Sequence, residues 1–458
     1  MTVTSFLIFL PAILIGSLLI HLIWPERSAL ALFLKFSLGI GAGLGISSIL
    51  FFLSLLIAPG RVNMMAVQLA LLVVFIAIVI LRERGQAWYR FKSPTLSRLQ
   101  WGLIGAVLLA LVFAILASVN IYNSRPQGAF DAWSIWNRAA RFIYRDPQNW
   151  RATTSPDLYW GTHADYPLLV PLNVAWGWET LGTETQRVPF AQGLLFTLAS
   201  FGVMFASVGL TRTSGQASLA TFVLICTPFF FETGIGQISD IPVTYFIFAA
   251  CALIYLYFQF DYAPILIIAG FMAGLSGWSK NEGLLMVAVS VAVLAVTSRK
   301  KMFKPFLWYL VGLAIPVAVI VYFKIAFAPP SDLFAGSSHD TLTKIVDFSR
   351  YWIILKSLGQ ETLTFGGWPF SILIGLAVYA VVMYTNIPSD SRMRFFVLAA
   401  IILLQLLGYC AIYVITPHDL EWHIGTSLSR LVLQLYPAGV FLLFSSILEP
   451  EKIFAQKA

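Results

Sequence analysis

Residues 121–187 form a polar island between two apolar stretches and carry side chains able to accept a proton or hold an anion. The island reads FDAWSIWNRAARFIYRD and then HADYPLLVPLNVAWGWE. It is longer than a connector needs and too aromatic for disorder, which predicts a structured functional loop. Asp131 opens its first half. Trp133, Trp136, Ala140 and Ile143 recur at helical spacing there, with Arg138, Arg141 and Arg145 on another face. Such a helix is expected to lie along a membrane surface, apolar face down. Asp131 is then either its N-cap or a general base at the mouth of a cavity. His163, Asp165 and Tyr166 come next, and Asp240 is a further carboxylate. Two cations, Lys280 and Arg430, fall at predicted helix ends, where an ionisable residue is costly and usually functional. The alternatives are a local Lys280–Glu282 ion pair and an Arg430 that snorkels to the headgroups. His423 precedes Arg430 by two helical turns, so the two share a face. His418, Asp419, Glu421 and His423 have the chemistry of divalent-metal ligands. Their spacing matches no established site, and no metal or other cofactor is expected.

The elements that position these residues are membrane helices. With 59% hydrophobic residues, 11% charged residues and a mean hydropathy of +0.83, the chain is excluded from the soluble class. About thirteen apolar runs have a length near that needed to span hydrocarbon. They cover 4–23, 30–57, 64–81, 101–120, 189–209, 217–231, 241–259, 263–279, 284–298, 305–327, 368–386, 394–415 and 429–448. The seventh to ninth are expected to be short or glycine-interrupted. No period-2 alternation supports a barrel, so the fold class is all-α and polytopic. Residues 1–100 read as a three-helix extension, 101–327 as a core holding the large loop, and 328–458 as a second loop with the last helices.

Threading these runs puts the basic clusters beginning at Arg82, Ser298 and Ser389 on one side, which is therefore cytoplasmic. The N-terminal run has neither a basic flank nor a cleavage site and reads as a helix rather than a signal peptide. The outer segments are then 121–187, 231–240, 280–282, 328–368 and 416–430. They hold His163, His339, His418 and His423 and most of the acids. In 328–368, which also contains Asp332 and Asp340, the spacing of Ile345, Phe348, Trp352 and Leu355 predicts a helix near the membrane. Cys226, Cys251 and Cys410 fall in apolar helices and form no disulfide framework. The run LGIGAGLG from Leu38 to Gly45 lies inside a helix with no preceding strand, so close helix packing explains it rather than a dinucleotide site. Trp176, Trp178, Trp352 and Trp422 are expected in an interfacial aromatic belt. The pI near 9.3 comes from the loop charges and implies no nucleic-acid partner.

Several segments, in order and on one face, resemble the GT-C superfamily of polytopic glycosyltransferases. An Asp just after a membrane helix in the first large outer loop is that superfamily's hallmark, and Asp131 matches it. HADYPLLVPLNVAW from His163 is similar to the Pro-rich re-entry segment of the protein O-mannosyltransferase and aminoarabinose transferase group. GQISDIPVTYF from Gly236 looks like that group's Asp-Pro motif, and AGLSGWSKNEGLL from Ala273 resembles its Gly-rich helix ending in Lys. TPHDLEWHIGTSLSRLVLQLYP from Thr416 looks like a C-terminal element of bacterial members. The resemblance covers roughly residues 101–437. The superfamily often sets a second acid beside the first, whereas Ala132 stands next to Asp131 here.

The resemblance implies a sugar transferase with a polyprenyl-phosphate-linked donor and a lipid-, glycan- or protein-linked acceptor hydroxyl. It would work in the bacterial cytoplasmic membrane with its active site facing outward. Inverting transfer needs a base on the acceptor hydroxyl and cations at the leaving phosphate. Asp131 is the expected base, with Asp165 and Asp240 as competing carboxylates and His163 as a possible companion. Lys280, Arg430 and His423 are the expected phosphate ligands, and Asp240, Glu282 and Tyr166 would position acceptor or sugar. An O-antigen ligase or polymerase is the nearest alternative, although its large loop usually comes late in the chain. A lipid or solute transporter would need mid-membrane charges and inverted repeats.

Overall fold

The computed structural model describes residues 4–84, 96–158, 160–297, 303–331, 338–383 and 392–449, and every regular element among them is helical. Each of the thirteen apolar runs becomes a helix or a bent helix pair. Among the described residues, nine helices are long and apolar enough to cross a membrane. A tenth span is possible in the pair Ser214–Ile225 and Pro228–Ile235, bent by 64° where Pro228 comes after the break. Ile265–Ser279, Glu282–Thr297 and Ile372–Met383 are apolar but shorter. The seventh run, expected to be short, is the 21-residue helix Asp240–Phe260. Asp332, the side chain of His339 and most of the three basic clusters lie outside the described residues.

Asp240–Phe260 is the axis of the bundle and is buried along nearly its whole length. It packs on Arg187–Thr211, Ile265–Ser279 and Leu420–Ser446. Small residues set the closest crossings, as expected where lipid supplies no hydrophobic drive between helices. A Cβ on Gly270 would stand 2.1 Å from the Tyr309 carbonyl oxygen, so Ile265–Ser279 lies directly against Phe303–Ala326. A Cβ on Gly43 would stand 1.9 Å from the Ala12 carbonyl oxygen, which locks Leu10–Ile23 onto Ala29–Ile57. The glycine run 38–45 is thus a packing surface. Ala29–Ile57 also joins the core, since the Tyr245 hydroxyl donates to the Ser37 carbonyl at 2.9 Å. Met64–Arg82 and Arg98–Ser124 instead leave most of their apolar side chains uncovered, Val73 and Phe113 among them, as lipid-facing helices do.

Two expectations are corrected here. Trp176 and Trp178 do not belong to an interfacial belt, because Leu169–Leu181 is enclosed by its neighbours and both rings are fully buried. Their indole nitrogens donate inside the protein, to Asn173 Oδ1 at 2.9 Å and the Thr185 carbonyl at 2.8 Å. Trp352 and Trp422 are exposed. The second correction concerns the amphipathic segment after Asp131. It is helical, but Trp136, Ala140 and Ile143 are buried against protein and not against lipid, with Asn137–Arg145 packed on Leu169–Leu181. Residues 132–136 form a wide π turn, which inserts a residue and swings Trp133 off that face.

Residues 338–364 form two helices, Ser338–Val346 and Phe348–Thr364. Ile345, Phe348, Trp352 and Leu355 all stay exposed on them, leaving an apolar surface uncovered by protein. Polar contacts hold the pair to the last two helices: Lys344 donates to the Thr416 carbonyl at 2.9 Å and Arg350 to the Val414 carbonyl at 2.9 Å.

Candidate active site

A cavity of about 1340 Å³ opens at one end of the bundle. Four of the five expected outer segments line it: Phe130–Arg138 with Gly161–Tyr166, Lys280–Glu282, Ala328–Ser331 and His418–Arg430. The fifth, 231–240, stands behind that wall and braces it.

The bracing begins with chain geometry. Gly128 has φ +76°, and a Cβ there would stand 2.6 Å from the Gly236 carbonyl oxygen. That clearance lets the Ala129 amide donate to the same oxygen at 2.9 Å. Gln237, in the left-handed region at φ 59°, donates Nε2 to the Pro126 carbonyl at 2.9 Å and accepts from Asn137 Nδ2 at 3.0 Å. Strained backbone held by several contacts is typical of functional sites. The clamp fixes both flanks of Asp131, and the π turn beginning at Ala132 re-aims the helix that leads away from it. Asp131 itself sits in helical backbone and makes no capping hydrogen bond, so the N-cap reading does not hold.

The Asp131 carboxylate meets Arg430 instead, through Oδ2 and Nη1. The same Arg430 Nη1 lies 3.8 Å from Asp240 Oδ2, while Lys280 Nζ lies 2.9 Å from Asp240 Oδ1. Lys280 also pairs with Glu282 Oε1 at 2.9 Å. The two cations expected at a phosphate therefore converge on one carboxylate. Arg430 turns into the cavity and does not snorkel, and the local Lys280–Glu282 pair exists alongside the Asp240 contact. Lys280 occupies a two-residue break between helices, with an extended φ of −160°. The break is fixed where Gly283 meets Ser276, because a Cβ at Gly283 would stand 2.1 Å from the Ser276 carbonyl. Asp240 Oδ2 and Glu282 Oε2 are buried without a hydrogen-bond donor among the described residues.

Of the three carboxylates weighed as base, only Asp131 lines the cavity. Asp240 is fully buried behind Lys280 and Arg430 and contacts both cations. Asp165 is buried too: its Oδ2 accepts from Asn281 Nδ2 at 2.8 Å and lies 3.5 Å from Lys324 Nζ. Lys324 closes that network by donating to Asn281 Oδ1 at 2.8 Å and to the Asp165 carbonyl.

The aromatic wall comes from the island. Tyr166 stacks on His163 (ring centroids 4.6 Å apart) and on Trp136 (5.5 Å). Burial, then the Glu282 and Asp165 charges, push the Tyr166 phenol well above its usual pKa, so it stays protonated as a donor. His163 adopts φ 44°, again a strained position. His423 and Arg430 both line the cavity, as their spacing requires, but His423 Nδ1 is hydrogen-bonded to Thr416 Oγ1 at 2.9 Å. Asp419 caps its helix by accepting from the Trp422 amide at 2.8 Å. Among the described residues no three His, Cys, Asp or Glu side chains gather as a metal site.

Three contributors were not singled out from the sequence: Lys324, Asn281 and Arg138. Lys324 left a signal, being an ionisable residue near the end of an apolar run. Asn281, between two charged neighbours, left none. From the sequence Arg138 is only one of three arginines on a polar face. Its Nε donates to the Ser134 carbonyl at 2.9 Å and its Nη2 to the Thr162 carbonyl at 3.3 Å.

Residues 165–323 match the family model described as dolichyl-phosphate-mannose-protein mannosyltransferase. That family is of the GT-C glycosyltransferase type, so a GT-C family domain is found at 165–323, about a third of the chain. The match takes in Asp165, Tyr166, Asp240, Lys280 and Glu282 and ends just before Lys324. No curated protein and no solved structure matches the chain.

Proposed function

We propose that this chain, with its mannosyltransferase-family domain at 165–323, moves a sugar from a polyprenyl-phosphate donor to an acceptor hydroxyl with inversion at the anomeric carbon. Asp131 is the base. The observation that carries this assignment is that Asp131, alone among the candidate carboxylates, is both on the cavity wall and in contact with a cation at the centre of the site.

The donor phosphate sits between Lys280 and Arg430. Phosphate oxygens compete with carboxylates for the guanidinium fork, since Arg pairs with either in a planar bidentate fashion. As Arg430 turns to the phosphate it releases Asp131. The freed carboxylate takes the proton of the acceptor hydroxyl while the hydroxyl oxygen attacks the sugar. The glycosidic C–O bond to phosphate breaks, and Lys280 and Arg430 stabilise the charge developing on the departing phosphate. Asp240 keeps both cations in place without entering the cavity, and Glu282 and Tyr166 offer polar atoms to sugar hydroxyls.

The site faces the exterior of the bacterial cytoplasmic membrane. Glu282 and Tyr413 line the cavity, so Thr297 and Arg392, at the far ends of their helices, lie at least about 20 Å away along the axes. The basic clusters continue the chain beyond those far ends, and basic loops stay cytoplasmic.

The test is transfer of radiolabelled sugar from polyprenyl-phosphate mannose and related donors by the purified protein in liposomes. Asp131→Asn should abolish most transfer, by about 10²–10⁴-fold, while polyprenyl phosphate still binds. Near-normal transfer by that variant would remove Asp131 as the base.

A further inference from the structure

The cations of the cavity are not alike. Lys280, Arg430 and Lys324 each touch a carboxylate. Arg138 also lines the cavity, yet no carboxylate among the described residues pairs with it. Its only polar contacts among those residues are the two main-chain carbonyls of Ser134 and Thr162, and its Nη1 is buried and without a partner there. The guanidinium otherwise lies 5.6 Å above the Phe142 ring. Two carbonyls and one ring face attract a cation, but none of them is a counter-ion that neutralises it. An arginine does not shed its proton near neutral pH, and burying it without a counter-ion is costly. Burial alone lowers its pKa to about 10, which still leaves it charged.

We propose that Arg138 is the anchor for an anionic group on the acceptor, so that the acceptor is an acidic glycan or lipid carrying a carboxylate or phosphate. The inference rests on the donor site proposed above. The donor phosphate there binds beside Asp131, because Arg430 touches Asp131 directly. Arg138 lies two helical turns after Asp131, about 10 Å along the axis. A phosphate held at Lys280 and Arg430 is therefore already provided for, and the guanidinium that lacks a counter-ion among the described residues serves a second negative charge. An acceptor whose hydroxyl lies at Asp131 would present that charge about 10 Å from its reacting oxygen. Arg138 thereby selects the acceptor and sets its register without touching the transferred proton.

The experiment uses the full-length protein in nanodiscs and three probes: glucose, glucuronate and glucose 6-phosphate. Binding of each is followed by saturation-transfer NMR, with and without saturating polyprenyl phosphate. At least one anionic probe should bind where glucose does not, and which one does distinguishes a carboxylate from a phosphate. Arg138→Gln should weaken that binding by about tenfold or more, with polyprenyl phosphate affinity unchanged as the sign of an intact fold. Arg138→Lys should keep part of it. Equal binding of glucose and both anions, unaltered binding in Arg138→Gln, or displacement of the anion by polyprenyl phosphate would each overturn the proposal. A wild-type protein that fails to bind polyprenyl phosphate would instead strike the donor reading, and anion binding lost in Arg138→Gln would still be read directly.

Discussion

Asp131 and Asp165 are both carboxylates of the same polar island, both paired with a cation from a distant helix, and their settings are opposite. Asp131 is about a quarter exposed and meets a single side chain, Arg430, which a second carboxylate shares. Asp165 is nearly sealed, and its side chain is held by Asn281 and Lys324 while its own carbonyl takes a further contact from Lys324. The first arrangement leaves lone pairs for a substrate and a partner that a phosphate can draw away. The second uses up the carboxylate in tying residue 165 to the turn at 281 and to the end of Phe303–Ala326. Availability, more than charge, separates a reactive carboxylate from a structural one.

The largest effect should come from replacing each carboxylate in turn by its amide. Asp131→Asn is expected to lose about 10²–10⁴-fold in transfer rate, and Asp165→Asn to stay within a few-fold of wild type, both read as initial rates at saturating donor. If Asp165→Asn were the silent enzyme and Asp131→Asn the active one, the comparison would be inverted and the base would lie at Asp165.

Next in size is the shared cation. Arg430→Ala and Lys280→Ala should each weaken binding of polyprenyl phosphate by an order of magnitude or more, since charge-assisted contacts to phosphate contribute about 1.5–3 kcal/mol each. Arg430→Lys should recover little, because an ammonium cannot reproduce the planar fork. Lys324→Ala, which removes the partner of the structural carboxylate, should leave that affinity unchanged. A loss in Lys324→Ala equal to that in Arg430→Ala would place the phosphate between the two networks.

How much of this was legible differs by kind of feature. The apolar runs read directly as helices, because hydropathy over about twenty residues is a local property. Lys280 and Arg430 stand out as charges at the ends of apolar runs and Asp131 as the acid that opens the amphipathic stretch of the island, and the structure brings Lys280 and Arg430 to one carboxylate. What could not be read was enclosure. Trp176 and Trp178 have the pattern of interfacial residues and are buried by helices from elsewhere in the chain. The clamp of Gln237 on Pro126 joins residues more than a hundred positions apart, and the π turn at 132–136 departs from the 3.6-residue period, so no periodicity reports either. Asn281 and Arg138 were hidden for the same reason: their partners, present or missing, are a tertiary fact.

A third effect is on stability alone. Asp165→Ala leaves Asn281 Nδ2 and Lys324 Nζ without their carboxylate in a mostly buried setting. A buried donor stripped of its partner costs about 1–3 kcal/mol. The melting temperature in detergent should fall measurably, with binding of polyprenyl phosphate kept below the transition. Unchanged melting would show that the network adds nothing to the fold.

The smallest effect sharpens the comparison by moving the ion pair to the surface. Glu184 receives Arg145 through Oε1 and Oε2, the latter at 2.9 Å, and lies 3.4 Å from Arg141, tying Asn137–Arg145 to the segment after Leu181. The Arg145 hydrogen bond, opposed by slight burial and aided by both arginine charges, holds the Glu184 pKa below its usual value. A carboxylate with a depressed pKa stabilises the fold above its unfolded value and loses that contribution as pH falls through the folded one. Glu184→Gln should therefore cost something at neutral pH and nothing once the medium is acid enough to protonate Glu184 itself. Solvent keeps the neutral-pH cost within about 0–1 kcal/mol. Melting of Glu184→Gln and wild type from neutral pH down to about pH 2 checks this, and a gap that persists at the acid end would mean that Glu184 acts through packing and not through its charge.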